Sequence, residues 1–155
     1  MTDSEGPGLP RVATGAARVH ASFARQQFMQ TVGATITSVE PGRVELTLPY
    51  RQNLTQQHGF LHAGAVATVL DSACGYAALS MMPPDTAVLT VEYKINLLAP
   101  AKGDTFLAIG TVLWSGKTLT VCTGEVLARS AAGDTIVAVM QATIMALPGR
   151  PGRRD

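Results

Sequence analysis

Apolar and polar residues alternate in steps of two along much of this chain. Residues 35–40 and 43–49 flank Pro41-Gly42, and in the second run Val44, Leu46 and Leu48 alternate with Arg43, Glu45 and Thr47. That is the pattern of a β-hairpin. Further on, Leu89, Val91, Tyr93, Ile95 and Leu97 alternate with Thr90, Glu92, Lys94 and Asn96. Three more strand-like runs follow at 104–114, 117–128 and 135–147, separated by Ser115-Gly116 and Gly133-Asp134. Turns this short predict antiparallel pairing, because parallel strands need long crossovers.

One stretch departs from period two. Residues 62–82 are rich in Ala and Leu and apolar around most of a helical circumference, which predicts a helix buried on nearly all sides. Pro83-Pro84 ends it. Its length approaches a membrane span, but Asp71 at its centre and its Gly, Ala, Ser and Thr content argue against one. A shorter amphipathic helix is predicted over about 16–30, with Val19, Phe23 and Phe28 near one face. The economical sum is an α+β fold, in which a curled antiparallel sheet of about five strands wraps one long helix.

Length and composition narrow the function. A chain of 155 residues is one domain by size, read here as 15–147 between tails at 1–14 and 148–155. With 46% hydrophobic and only 15% charged residues, subunit interfaces are expected. The net charge of +1 lacks the basic footprint that nucleic acid requires. The polar, turn-rich start has no basic and apolar pair of segments and does not read as a secretory signal. Cys74 and Cys122 are far apart and form no Cys-x-x-Cys pair, which favours a reducing, cytoplasmic setting.

The chemistry concentrates at the long helix. A carboxylate among Val66, Val69, Leu70, Ala73 and Cys74 is costly unless compensated, and burial raises its pKa toward the range of a general base. A structural Asp71, capping a loop or paired with an arginine, is the plain alternative. The lead-in Gln56-Gln57-His58-Gly59-Phe60-Leu61-His62-Ala63-Gly64 tips the balance. Two glycines allow a tight turn there, and free amides at a helix start favour a developing oxyanion. His58 and His62 have the spacing of a helical zinc pair, but Gly59 replaces the glutamate that should follow the first and no third ligand stands out, so no metal is expected.

Helix geometry adds a constraint. From His62 to Asp71 is ~13 Å along the axis and roughly half a revolution. The two ends cannot share a site within one subunit, but two antiparallel helices across a two-fold can bring each start beside the other's carboxylate.

Together these residues carry a resemblance. Gln56-x-x-Gly59-x-x-His62-x-Gly64-x6-Asp71 resembles the His-Gly-Gly-x6-Asp/Glu signature of hotdog-fold thioesterases of the PaaI type. The run from Leu89 through Pro100-Ala101 to Asp104 resembles that family's strand ending in Pro-Ala, and Ser115-Gly-Lys-Thr-Leu119 its next hairpin. The resemblance spans residues 31–147. It implies the hotdog fold, hydrolysis of aryl- or fatty-acyl-coenzyme A thioesters, and edge-to-edge dimers assembling into homotetramers. It also implies roles: Asp71 as general base or nucleophile, the Ala63 amide with Gly64 on the thioester carbonyl, Gln56 on the water or leaving side, His62 in support, and Thr90 beside the carboxylate. Coenzyme A is then part of the substrate, no separate cofactor is expected, and Gly116, Lys117 and Lys102 are candidates for its phosphates. The family's first glycine after the histidine is Ala63 here. At positive φ an alanine would be strained, and at helical φ its methyl would only trim space. Two other readings keep the scaffold: an acyl-thioester dehydratase or hydratase using His and an acid, and a non-catalytic acyl-CoA-binding protein.

Overall fold

The computed structural model describes residues 15–149, so the expected tail at 1–14 and residues 150–155 lie outside the described residues. Instead of one helix over 16–30 there are two, α1 (Gly15–Arg25) and α2 (Gln27–Val32), broken where Gln26 adopts an extended backbone. The break rotates the buried stripe. Val19 and Met29 are fully buried, while Phe28, expected on the same face as Val19, is 57% exposed.

Six strands follow: β1 (Thr35–Glu40), β2 (Arg43–Pro49), β3 (Thr86–Leu97), β4 (Thr105–Ser115), β5 (Leu119–Ser130) and β6 (Gly133–Pro148). They form one sheet in the order β1-β2-β4-β5-β6-β3, and every pairing is antiparallel. The sheet is open, with β1 and β3 as its edges. β3 does not pair with β4, the next strand in the chain; it lies against β6 at the far edge.

The long helix α3 (Ala63–Met81) packs on this sheet, as the apolar stretch predicts. Val69, Leu70, Ala73 and Cys74 are fully buried against Val44, Leu46, Phe106 and Val126. Each large aliphatic side chain so buried stabilises the fold by about 1.5–3 kcal/mol. The helix comes close because Gly110 of β4 and Gly124 of β5 are register partners beneath it. A Cβ on Gly110 would lie 2.4 Å from the Ala73 carbonyl carbon, and one on Gly124 2.7 Å from Leu70. Helix α1 is tied across the other side of α3. The Arg18 guanidinium donates to the Met82 and Thr86 carbonyls at 2.7 and 3.1 Å, and Phe23 packs on Tyr76 with ring centroids 5.8 Å apart. This is the hotdog architecture, a long helix held in a curled antiparallel sheet. Among the described residues no helix is long and apolar enough to cross a membrane.

Candidate active site

Asp71 lies midway along α3 and is only partly buried. Desolvation raises its pKa above the ordinary carboxylate value, and the Thr90 hydroxyl, donating to Oδ1 at 2.8 Å, opposes that shift. Thr90 reaches the helix because of a bulge. Thr90 pairs with buried Ile144 and Glu92 with Thr143, so Val91 is an extra residue in β3. The bulge reverses the phase of the strand. Thr90 therefore shares the helix-facing side with Ile95 and Leu97, although strict alternation would place it on the opposite one.

The start of α3 is built from the loop before it. His62 is the N-cap, with extended backbone, and its Nδ1 accepts the Gly64 N–H at 2.8 Å. An accepting Nδ1 assigns the ring proton to Nε2. Gly64 thus has its amide engaged, and Ala63 is the first residue of the helix with an N–H that has no partner among the described residues. Ala63 has no positive φ, so alanine stands here without backbone strain. Gln56 is held by its own N–H donating to the Phe60 carbonyl at 2.9 Å, and its Oε1 accepts the His58 N–H. His58 itself is exposed in the turn.

These groups fall into two separate clefts. One, of about 510 Å³, is lined by Gln56, Phe60, Ala63, Val66, Leu97 and Pro100. The other, of about 360 Å³, is lined by Asp71, Thr90 and Gly75, with Ser22 and Arg25 from α1 and Gln26 from the break after it. Eight helical residues put Ala63 and Asp71 ~12 Å apart along the axis. The α1 side chains and Gly75 have no counterpart in the sequence reading. A polar cluster at the end of a short helix gives no local sign that it folds over a distant carboxylate.

The three residues considered for phosphates divide between the two ends. Exposed Lys102 follows the 98–101 segment that walls the first cleft. Gly116 and Lys117 form the β4–β5 tip, closed by the Gly116 N–H donating to Leu119 at 2.9 Å. Thr120 and Thr90 both pair with Ile144, which sets this tip at the Asp71 end of the sheet.

Chemically, the chain offers a carboxylate of raised pKa in one cleft and an open amide at a helix start in the other. The thiols are not rival nucleophiles. Cys74 and Cys122 are both free and buried, and burial pushes the Cys122 thiol up to about 12 and that of Cys74 higher still. A thiol so raised is not a thiolate at neutral pH.

Comparisons with known proteins bear on the family and the fold. The family model of the thioesterase superfamily matches residues 58–133, which include α3, Asp71 and Thr90. A crystal structure of a thioesterase family protein from Silicibacter pomeroyi is 55% identical, with a TM-score of 0.86 over 87% of this chain and 99% of that one. A protein named as an esterase from Halobacterium salinarum is 33% identical over 95 residues, 58% of this chain. The match spans 62% of that relative's length. The 1,4-dihydroxy-2-naphthoyl-CoA hydrolase of Listeria monocytogenes is 28% identical over 59% of this chain and 75% of its own. With 55% identity across nearly all of a solved thioesterase family protein, and a TM-score of 0.86 to it, this chain belongs to the thioesterase superfamily.

Proposed function

We propose that the protein hydrolyses acyl-coenzyme A thioesters at a site shared between two subunits. The observation that carries the reading is the division of labour within one chain: the Asp71–Thr90 pair lines one cleft and the open Ala63 amide another. Neither half is sufficient for acyl transfer, and two subunits related by a two-fold supply both halves twice.

In this reading the thioester carbonyl oxygen accepts the Ala63 N–H at the positive end of one α3. Asp71 of the other subunit takes a proton from water as the water oxygen bonds to the carbonyl carbon, or attacks that carbon itself to give an anhydride that water then opens. Collapse of the tetrahedral intermediate breaks the C–S bond and releases coenzyme A as a thiolate, a good leaving group that needs no strong general acid. Gln56 holds the water or leaving side, His62 keeps the helix start in place, and Thr90 orients the carboxylate. Lys102, Gly116 and Lys117 are the surface groups proposed for the coenzyme A phosphates. Edge-to-edge association along β3 makes the dimer, and pairs of dimers make the tetramer. Two free, buried thiols accord with work in a reducing cytoplasm.

The test is release of free thiol from a panel of aryl- and fatty-acyl-CoAs. Hydrolysis is expected, and its loss in Asp71→Asn by about 10²-fold or more. A panel that is bound or hydrated without thiol release, or an Asp71→Asn protein as fast as wild type, overturns the reading. Sharing between subunits has its own test. Ala63 is the first residue of α3, where proline is tolerated, and His62 already has the extended backbone that precedes proline. Ala63→Pro therefore removes the amide donor and keeps the helix. Mixed and reassembled Asp71→Asn and Ala63→Pro subunits are expected to recover about a quarter of wild-type activity, because half the subunit pairs hold one intact site of two. A site confined to one chain recovers nothing.

A further inference from the structure

Gly75 lies one helical turn beyond Asp71, so the two share a face of α3. Glycine in a helix interior costs about 0.5–1 kcal/mol relative to alanine, so its presence calls for a reason. At Gly110 and Gly124 the reason is close packing. At Gly75 it is not: the residue is buried and its φ is not positive, yet an added Cβ would meet nothing within 4 Å. The space above Gly75 belongs to the 360 Å³ cleft that also holds Asp71.

The roof of that cleft is polar. Ser22 and Arg25 come from the end of α1 and Gln26 from the break that follows it, and the Tyr76 hydroxyl donates to Gln26 Oε1 at 3.2 Å. Arg25 donates to the Ala21 carbonyl at 3.0 Å and, among the described residues, is in no ion pair. A guanidinium carries five donors in a planar fork that matches a carboxylate. At about 360 Å³ the cleft is at the small end of ligand pockets, room enough for a short acyl group.

We propose that this cleft is the acyl pocket, that Gly75 sets its depth, and that Arg25 selects acyl groups ending in a carboxylate, so that the substrate class is the coenzyme A monothioester of a dicarboxylic acid. The inference rests on the hydrolase reading above. Ionised Asp71 repels an acyl carboxylate, and Arg25 is the cation in the cleft that offsets it.

Matched pairs of equal chain length test it: glutaryl-CoA against pentanoyl-CoA, with acetyl-CoA as the short reference, assayed by thiol release on the full chain. The expected wild-type kcat/KM is about tenfold or more higher for glutaryl-CoA. Arg25→Gln is expected to lower the glutaryl value by about tenfold or more and the pentanoyl value by about threefold or less, with partial rescue by Arg25→Lys. Gly75→Leu, checked for a native melting transition, is expected to lose turnover of both five-carbon thioesters more than that of acetyl-CoA. Thiol release with no preference for the carboxylate, a uniform rise in KM for all thioesters in Arg25→Gln, or glutaryl turnover unchanged in Gly75→Leu overturns the inference and leaves hydrolysis standing. Thiol release from none of these thioesters or the wider panel overturns the hydrolase reading, and this inference with it.

Discussion

Desolvation raises the Asp71 pKa, and that single shift sets stability against chemistry. A carboxyl whose folded pKa lies above its unfolded value favours folding fully below the unfolded pKa, and this contribution is lost as pH rises through the folded pKa. Ionisation of Asp71 is therefore a burden on the fold. Asp71→Asn is expected to melt at a higher temperature than wild type at pH 7 while losing hydrolysis, and thermal melts across pH 4 to 8 should show the difference growing with pH. Under the proposed mechanism activity moves the other way, because a general base must be ionised. The acid limb of kcat/KM is expected above the usual carboxylate range of about 4. Thr90 donates to the ionised form, so Thr90→Val should push that limb to still higher pH. A pH–rate profile unchanged in Thr90→Val would contradict this coupling.

At the scale of elements, the strand and helix that hold these residues were legible to different degrees. The apolar run over 62–82 and Pro83-Pro84 delimit α3 to within a residue, because a helix whose core-facing side is wide carries an almost unbroken apolar run and the prolines cannot extend it. The alternation from Leu89 to Leu97 announces β3 but gives no sign of the extra residue at Val91, since a bulge leaves an alternating sequence unchanged and alters only which partner each residue faces. Thr90 reached its place beside Asp71 through a resemblance to relatives, not through its local pattern. The glycine pair under α3 is similar: nothing local to Gly110 or Gly124 marks the helix that crosses them. Gly110→Val should destabilise the protein by about 1–3 kcal/mol, read from denaturant midpoints at constant slope. His62→Ala, which removes the cap on Gly64, should cost about 0.5–2 kcal/mol and loosen the helix start that presents the Ala63 amide.

At the scale of the whole molecule, the open sheet ends in β3, a strand of 12 residues with one unpaired edge and with Leu89, Val91, Tyr93 and Leu97 exposed. A long apolar edge of this kind invites pairing with a second copy. If the active unit is the dimer, specific activity per chain should fall on dilution in step with dissociation seen by sedimentation; activity that stays constant once the protein is monomeric would exclude a shared site. The sequence by itself determined the class of fold, the position of the long helix, the strand-like runs and the Asp71-to-His62 spacing. Each of these follows from periodicity or helical rise, which are local properties of the chain. Only the tertiary structure decided that β3 joins β6 at the far edge, that the bulge turns Thr90 inward, and that Arg25 and Gly75 share a cleft with Asp71. Those are contacts between segments distant in the chain, set by which surfaces bury one another, and no local pattern encodes them.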